Sequence, residues 1–324
     1  LEPLENLWNA VDFIYDYHQR KGLVADRAAK EAFASFCRDW SGWKWSKNSC
    51  AHDSVLVAML APEPSNPLRD ELTSDLADDS AQTKRTRSEL RRAWRDIRHP
   101  APSDTCWSLR MALAAEFPQQ REMLVGGRFV VASSVIDLLF EHFVQPRPFW
   151  CTVNSASAGR PASAVANVDR PMVPLSKSGD VEPLVRQFFG PRTRRIEGKE
   201  SRYQFVLLDN DENPLQYLWI SKQVGQSALA NTLRVDTVKE CDQAAIDGER
   251  HAVDLQLSAL IAAQPNHFVC AFRCLNRWYH YDDSPGSDEP IIEAIGTFDD
   301  LVTYKRGLYS KKTEHLYYVR AANA

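Results

Sequence analysis

Asn48-Ser49-Cys50-Ala51-His52-Asp53 puts a cysteine where irregular chain turns into a helix. The run that follows, Val55-Leu56-Val57-Ala58-Met59-Leu60, is apolar, and Pro62 and Pro64 end it because proline cannot continue a helix. Ser49 or Asn48 is placed to cap the helix start. A thiolate, not a thiol, attacks a carbonyl, and the unpaired N–H groups of a helix start favour negative charge. Cys50 is therefore the candidate nucleophile. The competing reading is a small buried core cysteine, since free cysteines pack as apolar residues.

A thiol nucleophile needs an imidazole to take its proton and return it to the leaving group. Of eight histidines, His267 is the best placed. It opens the apolar strand Phe268-Val269-Cys270-Ala271-Phe272, so its side chain can project at a sheet edge. A surface hydrogen bond at a strand end is the plain alternative. His280 lies in the middle of an aromatic stretch and reads as packed. His52 is two residues from Cys50 and points elsewhere on a helix. An acid must then orient the imidazole. Trp278-Tyr279-His280-Tyr281-Asp282 reads as the next strand of a hairpin, and antiparallel pairing brings Asp282 back near His267. Asp283 faces the other side by alternation. For both acids the alternative is a turn role ahead of Ser284-Pro285-Gly286.

These residues sit in two different textures. Up to about residue 145 the chain reads as helical. Leu7, Val11, Ile14 and Tyr15 share one helical face, residues 26–38 repeat the pattern, and 105–117 and 129–143 are amphipathic. Residues 66–80 are acidic, whereas 84–98 hold seven Lys or Arg. A solvated helix face is the first reading of that basic stretch, and a docking surface for an acidic partner is the second. Residues 154–179 are rich in Ser, Ala, Gly and Pro and read as a long loop. Strands follow. Segments 203–208 and 215–220 suggest a hairpin, and 231–238, 253–262, 267–274, 277–282, 290–294 and 314–320 read as strands. Residues 298–304 read as a short helix. The expected organisation is one catalytic domain over 1–324. Residues 1–145 form a helical lobe with the nucleophile, and 146–324 form a β lobe with the histidine and the acid.

Composition narrows the function classes. The 324 residues are 44% hydrophobic and 25% charged, with a net charge of −4. That balance argues against a global pull toward nucleic acid or anionic membrane. No apolar run approaches the roughly 18 residues that span a bilayer. Leu1-Glu2-Pro3-Leu4-Glu5 lacks the basic and apolar regions of a signal peptide. Seven cysteines, an odd and scattered set, do not read as a disulfide framework and fit a reducing, intracellular setting. No Cys-x-x-Cys pair occurs, so neither structural zinc nor any other cofactor is expected. A monomer is expected.

At these residues the chain resembles the ubiquitin-specific protease family, whose cysteine, histidine and acid follow the papain-like order. That family has an Asn-[Thr/Ser]-Cys box at a helix start, here Asn48-Ser49-Cys50. It has a late His-aromatic strand, here His267-Phe268, then a Trp-x-x-aromatic-Asp-Asp strand, here Trp278 to Asp283. It closes on an aromatic strand, which His315-Leu316-Tyr317-Tyr318-Val319-Arg320 matches. A branch likeness is to the ubiquitin-specific-protease-like SUMO isopeptidase. It rests on Trp43-Lys44 seven residues before the cysteine, Asp53 three after it, and Asn266-His267-Phe268. The resemblance covers residues 40–60 and 253–320 and is thin between them.

The resemblance implies an α+β, papain-like fold with a cleft between a helical thumb and a β palm, and with reduced or metal-free fingers in 150–235. It implies hydrolysis of the isopeptide bond after the C-terminal Gly-Gly of a ubiquitin-family modifier. Cys50 would attack, His267 would relay the proton, and Asp282 would orient His267. Two departures stand out. The family's oxyanion-binding Asn, five residues before the cysteine, is Trp45 here, so the Cys50 N–H with the Asn48 side chain is the substitute. The family's zinc-binding Cys-x-x-Cys pairs are missing. Trp45, Asn266 and Trp278 are candidates for the walls of a channel that admits only glycines, with core packing as the alternative. The branch motifs favour SUMO, whereas most of the wider family cuts ubiquitin. The partners implied are ubiquitin or SUMO and their conjugates. A catalytically silent modifier-binding scaffold and another papain-like acyl-transfer enzyme remain the other readings.

Overall fold

The computed structural model describes residues 40, 43, 48–63, 65–98, 106–145, 147–154, 163–168, 171–196, 199–240, 250–284 and 291–321. The expected helices before residue 40, and Trp45, lie outside these residues. Helices come first: α1 Cys50–Leu60, α2 Pro67–Thr73, α3 Ala81–Arg98, α4 Trp107–Glu116, α5 Arg121–Val125 and α6 Ala132–Phe143. Every residue of α1 is buried, as its lack of a polar face requires. It packs on α6 and α3 on one side and on the sheet on the other. Asn66 caps α2 by accepting from the Arg69 N–H, with Pro67 as the first helical residue.

Among the described residues the sheet has twelve strands. These are β1 Trp150–Asn154, β2 Ser163–Val168, β3 Met172–Leu175, β4 Arg192–Ile196, β5 Lys199–Leu208, β6 Tyr217–Lys222, β7 Thr232–Val238, β8 His251–Gln264, β9 His267–Cys274, β10 Arg277–Asp282, β11 Ile291–Gly296 and β12 Thr313–Arg320. Helix α7, Val181–Phe188, lies between β3 and β4, and α8, Phe298–Lys312, precedes β12. The main path runs β11-β10-β9-β8-β7-β5-β1-β2. The long strand β8 organises it. Its first half pairs with β7 and its second half with β9, while β12 runs antiparallel along its other edge. Two-residue turns, Pro265-Asn266 and Leu275-Asn276, join β8 to β9 and β9 to β10. Asn266 has φ 58°, a left-handed conformation that asparagine tolerates at this turn position.

The mixed α+β fold class is the one the sequence implied, but several local expectations change. Segments 203–208 and 215–220 do not pair with each other. β5 pairs with β1, β4 and β7, and β6 pairs with β12 and β3. The apolar pattern of each strand marks burial but not partners: β6 finds both of its partners far along the chain, and β5 joins its sequence neighbour β4 to the distant β1 and β7. The expected loop 154–179 contains β2 and β3. Cys151 and Cys274 each take part in a disulfide, whereas Cys50, Cys106 and Cys270 are free thiols. Scattered spacing could not show which cysteines meet in space. Among the described residues, no helix is long and apolar enough to cross a membrane.

The basic stretch is less free than its composition implies. Arg87 is buried, reaching Asp79 at 2.7 Å and the carbonyls of Glu71, Leu72 and Phe143. Arg91 pairs with Asp75 at 3.0 Å, and Arg92 flanks Glu89 and Asp96 on its own helix. The acidic segment therefore folds back on the basic one. Arg87 is a tether between α2, α3 and the end of α6, and the solvated-face reading suits the remainder of the stretch.

Candidate active site

The site forms where the start of α1 meets the ends of β9 and β10. Cys50 is the first residue of α1 and is 3% exposed. The Asp53 N–H closes the first turn on the Ser49 carbonyl at 2.9 Å. No side chain caps this helix start, contrary to the expectation for Ser49 or Asn48. Both are held elsewhere. Ser49 Oγ donates to Asp283 Oδ2 at 3.3 Å, and Asn48 Nδ2 donates to the Gly127 carbonyl. Asn48 has φ 56°, so the chain enters α1 through a left-handed residue. The Tyr281 hydroxyl donates to the Trp43 carbonyl at 3.1 Å, tying the segment ahead of Cys50 to β10.

His267 opens β9 opposite Gln264. Its Nε2 meets Asp282 Oδ1 at 2.7 Å, and the Ser284 N–H donates to the same oxygen at 3.0 Å. Nε2 therefore carries a proton, because the carboxylate can only accept. The other ring nitrogen, Nδ1, is buried and makes no hydrogen bond of normal geometry. Burial pulls the His267 pKa down. The hydrogen bond to Asp282 opposes it, followed by interaction with the Cys50 thiol and the charges of Asp283 and Asp282, and the net result is about 10. Burial pushes Asp282 up, yet the hydrogen bond from His267 and its charge hold it well below the usual carboxylate range. Near neutral pH the pair is thus an imidazolium and a carboxylate. An imidazolium beside a cysteine is the setting in which thiol nucleophiles operate.

A second histidine lies behind the acid. His280 is fully buried, with Nε2 3.8 Å from Asp282 Oδ2. Its Nδ1 meets the Tyr309 hydroxyl, which donates onward to the Cys270 carbonyl, and Lys305 Nζ lies 3.1 Å from its Nε2. These contacts fit a neutral ring protonated on Nδ1, and burial lowers its pKa accordingly. His52 is also buried, and desolvation followed by the charge of Arg110 lowers its pKa to about 3. It stays neutral.

The structure thus brings together Cys50, His267 and Asp282, with Asn48 beside them. Asn266 is exposed at the turn next to His267. Trp278 is 2% exposed and packs toward Phe298, so it belongs to the core rather than to a channel wall. Two groups escaped the sequence reading. Asp283 is buried against α1, where it meets Ser49 and Asp53. The segment 126–131 reaches the site through Gly127, and its Phe129, 48% exposed, stacks on Phe268 beside His267. Its two adjacent glycines were the available sign of a close approach. His267, Asp282 and Asp283 also offer metal-type ligand atoms within 4.8 Å of one another. His267 and Asp282 also hydrogen-bond each other, an arrangement suited to handling a proton.

No protein-family model matches the sequence, and no curated protein matches it. Solved structures do share the fold. One is the SAGA Ubp8/Sgf11/Sus1/Sgf73 DUB module bound to ubiquitin aldehyde, at 10% identity and TM-score 0.60, over 89% of this chain and 71% of that chain. Another is the same module with a substituted Ubp8 bound to monoubiquitin, at 10% identity and TM-score 0.60, over 94% of this chain and 76% of that one. A third is the yeast SAGA DUB module with a mutant Sgf73, at 9% identity and TM-score 0.58, over 89% and 70%. The fold class is therefore that of these deubiquitinating modules, across most of the chain.

Proposed function

We propose that the chain is a cysteine isopeptidase that cleaves after the C-terminal glycine of a ubiquitin-family modifier. The observation that carries this reading is the juxtaposition of Cys50, at the start of a buried helix, with an imidazole already held by Asp282. The imidazolium of His267 already holds the proton that the Cys50 thiol gives up, and the thiolate adds to the carbonyl of the terminal glycine. The negative charge on the carbonyl oxygen meets the N–H groups at the uncapped start of α1, with the Asn48 amide beside them. As the C–N bond breaks, His267 gives its proton to the departing lysine amine. Water, deprotonated by the same imidazole, then adds to the thioester, releasing the modifier acid and restoring the Cys50 thiol. Asp282 keeps Nε2 protonated and Nδ1 turned toward Cys50.

The short motifs around Trp43, Asp53 and Asn266 favour SUMO as the modifier. Two of the solved structures that share the fold hold ubiquitin or its aldehyde, which favours ubiquitin. Parallel assays with both modifiers, each fused through its Gly-Gly end to a fluorogenic amine, test the reaction class and separate the two.

Asp282→Asn tests the orienting role. Its expected effect is a loss in kcat of about 10²-fold or more with little change in KM, because it supports the imidazole and does not bind the modifier. The pH dependence of stability gives a second check. The folded pKa of His267, about 10, lies above its ordinary 6.5. Its stabilising contribution is thus fully present below 6.5 and is lost as pH rises through about 10. The Tm gap between wild type and Asp282→Asn should be widest near pH 6 and close toward pH 10. A gap independent of pH would remove Asp282 from this role.

A further inference from the structure

Behind the nucleophile, two carboxyl groups meet in the core. Asp53, on the first turn of α1, and Asp283, just past β10, are 0% and 1% exposed. Asp53 Oδ1 accepts from the Cys106 thiol at 2.7 Å, and Asp283 Oδ2 accepts from Ser49 Oγ at 3.3 Å. That leaves Asp53 Oδ2 and Asp283 Oδ1 buried with no other donor. The two side chains interact with each other, and two acceptor-only carboxylates cannot satisfy one another. One proton between them satisfies both orphaned oxygens and removes a like-charge clash.

We propose that Asp53 and Asp283 share one proton and act as a positioning pair, locking the helix turn that carries Cys50 to the strand end that carries Asp282. The inference deepens the isopeptidase reading, since the lock sets the distance between nucleophile and base. The surroundings suit a pair of net charge −1. Arg110 on α4 offsets Asp53, and His267 on β9 offsets Asp283. Cys50 and Cys106 face the pair from the helices, Asp282 adjoins it on β10, and the charge of Asp283 is felt by Cys270 and Tyr281. Burial, then the charge and hydrogen bond of Asp53, pushes Asp283 up to about 9, so the proton is retained at neutral pH.

The decisive experiment is infrared spectroscopy of the whole chain at pH 7, compared with Asp53→Asn and Asp283→Asn. A protonated-carboxyl C=O band is expected in the wild type and absent from both variants, because an asparagine amide donates to the carboxylate that remains. No band in the wild type, or a band that survives in either variant, overturns the proposal. This readout needs no turnover, so it stands apart from failure of the isopeptidase reading. Thermal melts provide a second measure. The folded pKa of Asp283 is raised from 3.8, so its contribution is fully present below 3.8 and declines as pH rises toward about 9. The Tm of Asp283→Asn minus that of wild type should therefore rise from pH 5 to pH 9, and a flat difference contradicts the shared proton. For positioning, Asp53→Ala should lower kcat about tenfold or more with KM little changed, and Asp53→Asn should recover most of it. Equal kcat in Asp53→Ala and wild type would refute the lock.

Discussion

Cys50→Ala is expected to remove isopeptide cleavage altogether, a loss of at least about 10⁴-fold, because the bond-forming atom is gone. The fold should survive. Cys50 contributes one small side chain at the end of a helix whose other ten residues are all buried. Modifier binding should survive too, so Cys50→Ala should trap its substrate rather than release it. Ser or Ala at Cys106 or Cys270 should leave the chemistry far less affected, since both thiols are buried and burial raises their pKa well above the usual thiol range. Turnover assays on these variants, with circular dichroism to confirm folding, provide the check. Near-normal turnover by Cys50→Ala would end the nucleophile assignment.

His267→Gln carries the second large effect, a fall in kcat on the order of 10²–10⁴-fold, as expected when a general base is lost. The wild-type rate should hold up to about pH 10, where the imidazolium loses its proton, and decline beyond it. The variant should behave oppositely. Its residual rate should climb with pH, because solvent base must then take the thiol proton. A rate–pH profile unchanged in shape by His267→Gln would show that another group handles the proton. His52 and His280 are poor substitutes, since both are buried and held neutral.

The parts of the site that the sequence revealed are those set by local rules. A buried apolar run ended by prolines fixes α1 and places Cys50 at its start. Two-residue turns after β8 and β9 fix the hairpin, and antiparallel pairing then returns Asp282 to His267. What stayed hidden depends on contacts between distant segments. Alternation points Asp283 away from Asp282, yet its Oδ1 lies 4.0 Å from His267 Nε2, and nothing local showed that Ser49 and Asp53 also meet this carboxyl group. β5 and β6 have the apolar pattern of a hairpin, yet each pairs with strands from elsewhere in the chain. Trp278 sits in an aromatic strand whose pattern fits a channel wall and a core equally, and only packing on Phe298 decides between them. Arg87 looked like surface charge, because a composition count cannot see the carbonyls and the Asp79 carboxylate that enclose it.

Attack by Cys50 on the C-terminal glycine of a ubiquitin-family modifier is the step on which the proposed function depends. The most direct test is covalent labelling with ubiquitin and with SUMO, each ending in a vinyl-type electrophile in place of its last carboxylate, followed by peptide mapping. The expected result is one adduct per chain with at least one of the two probes, located on Cys50 and absent in Cys50→Ala. No adduct with either probe on a folded chain, or an adduct located on a different cysteine, would contradict it.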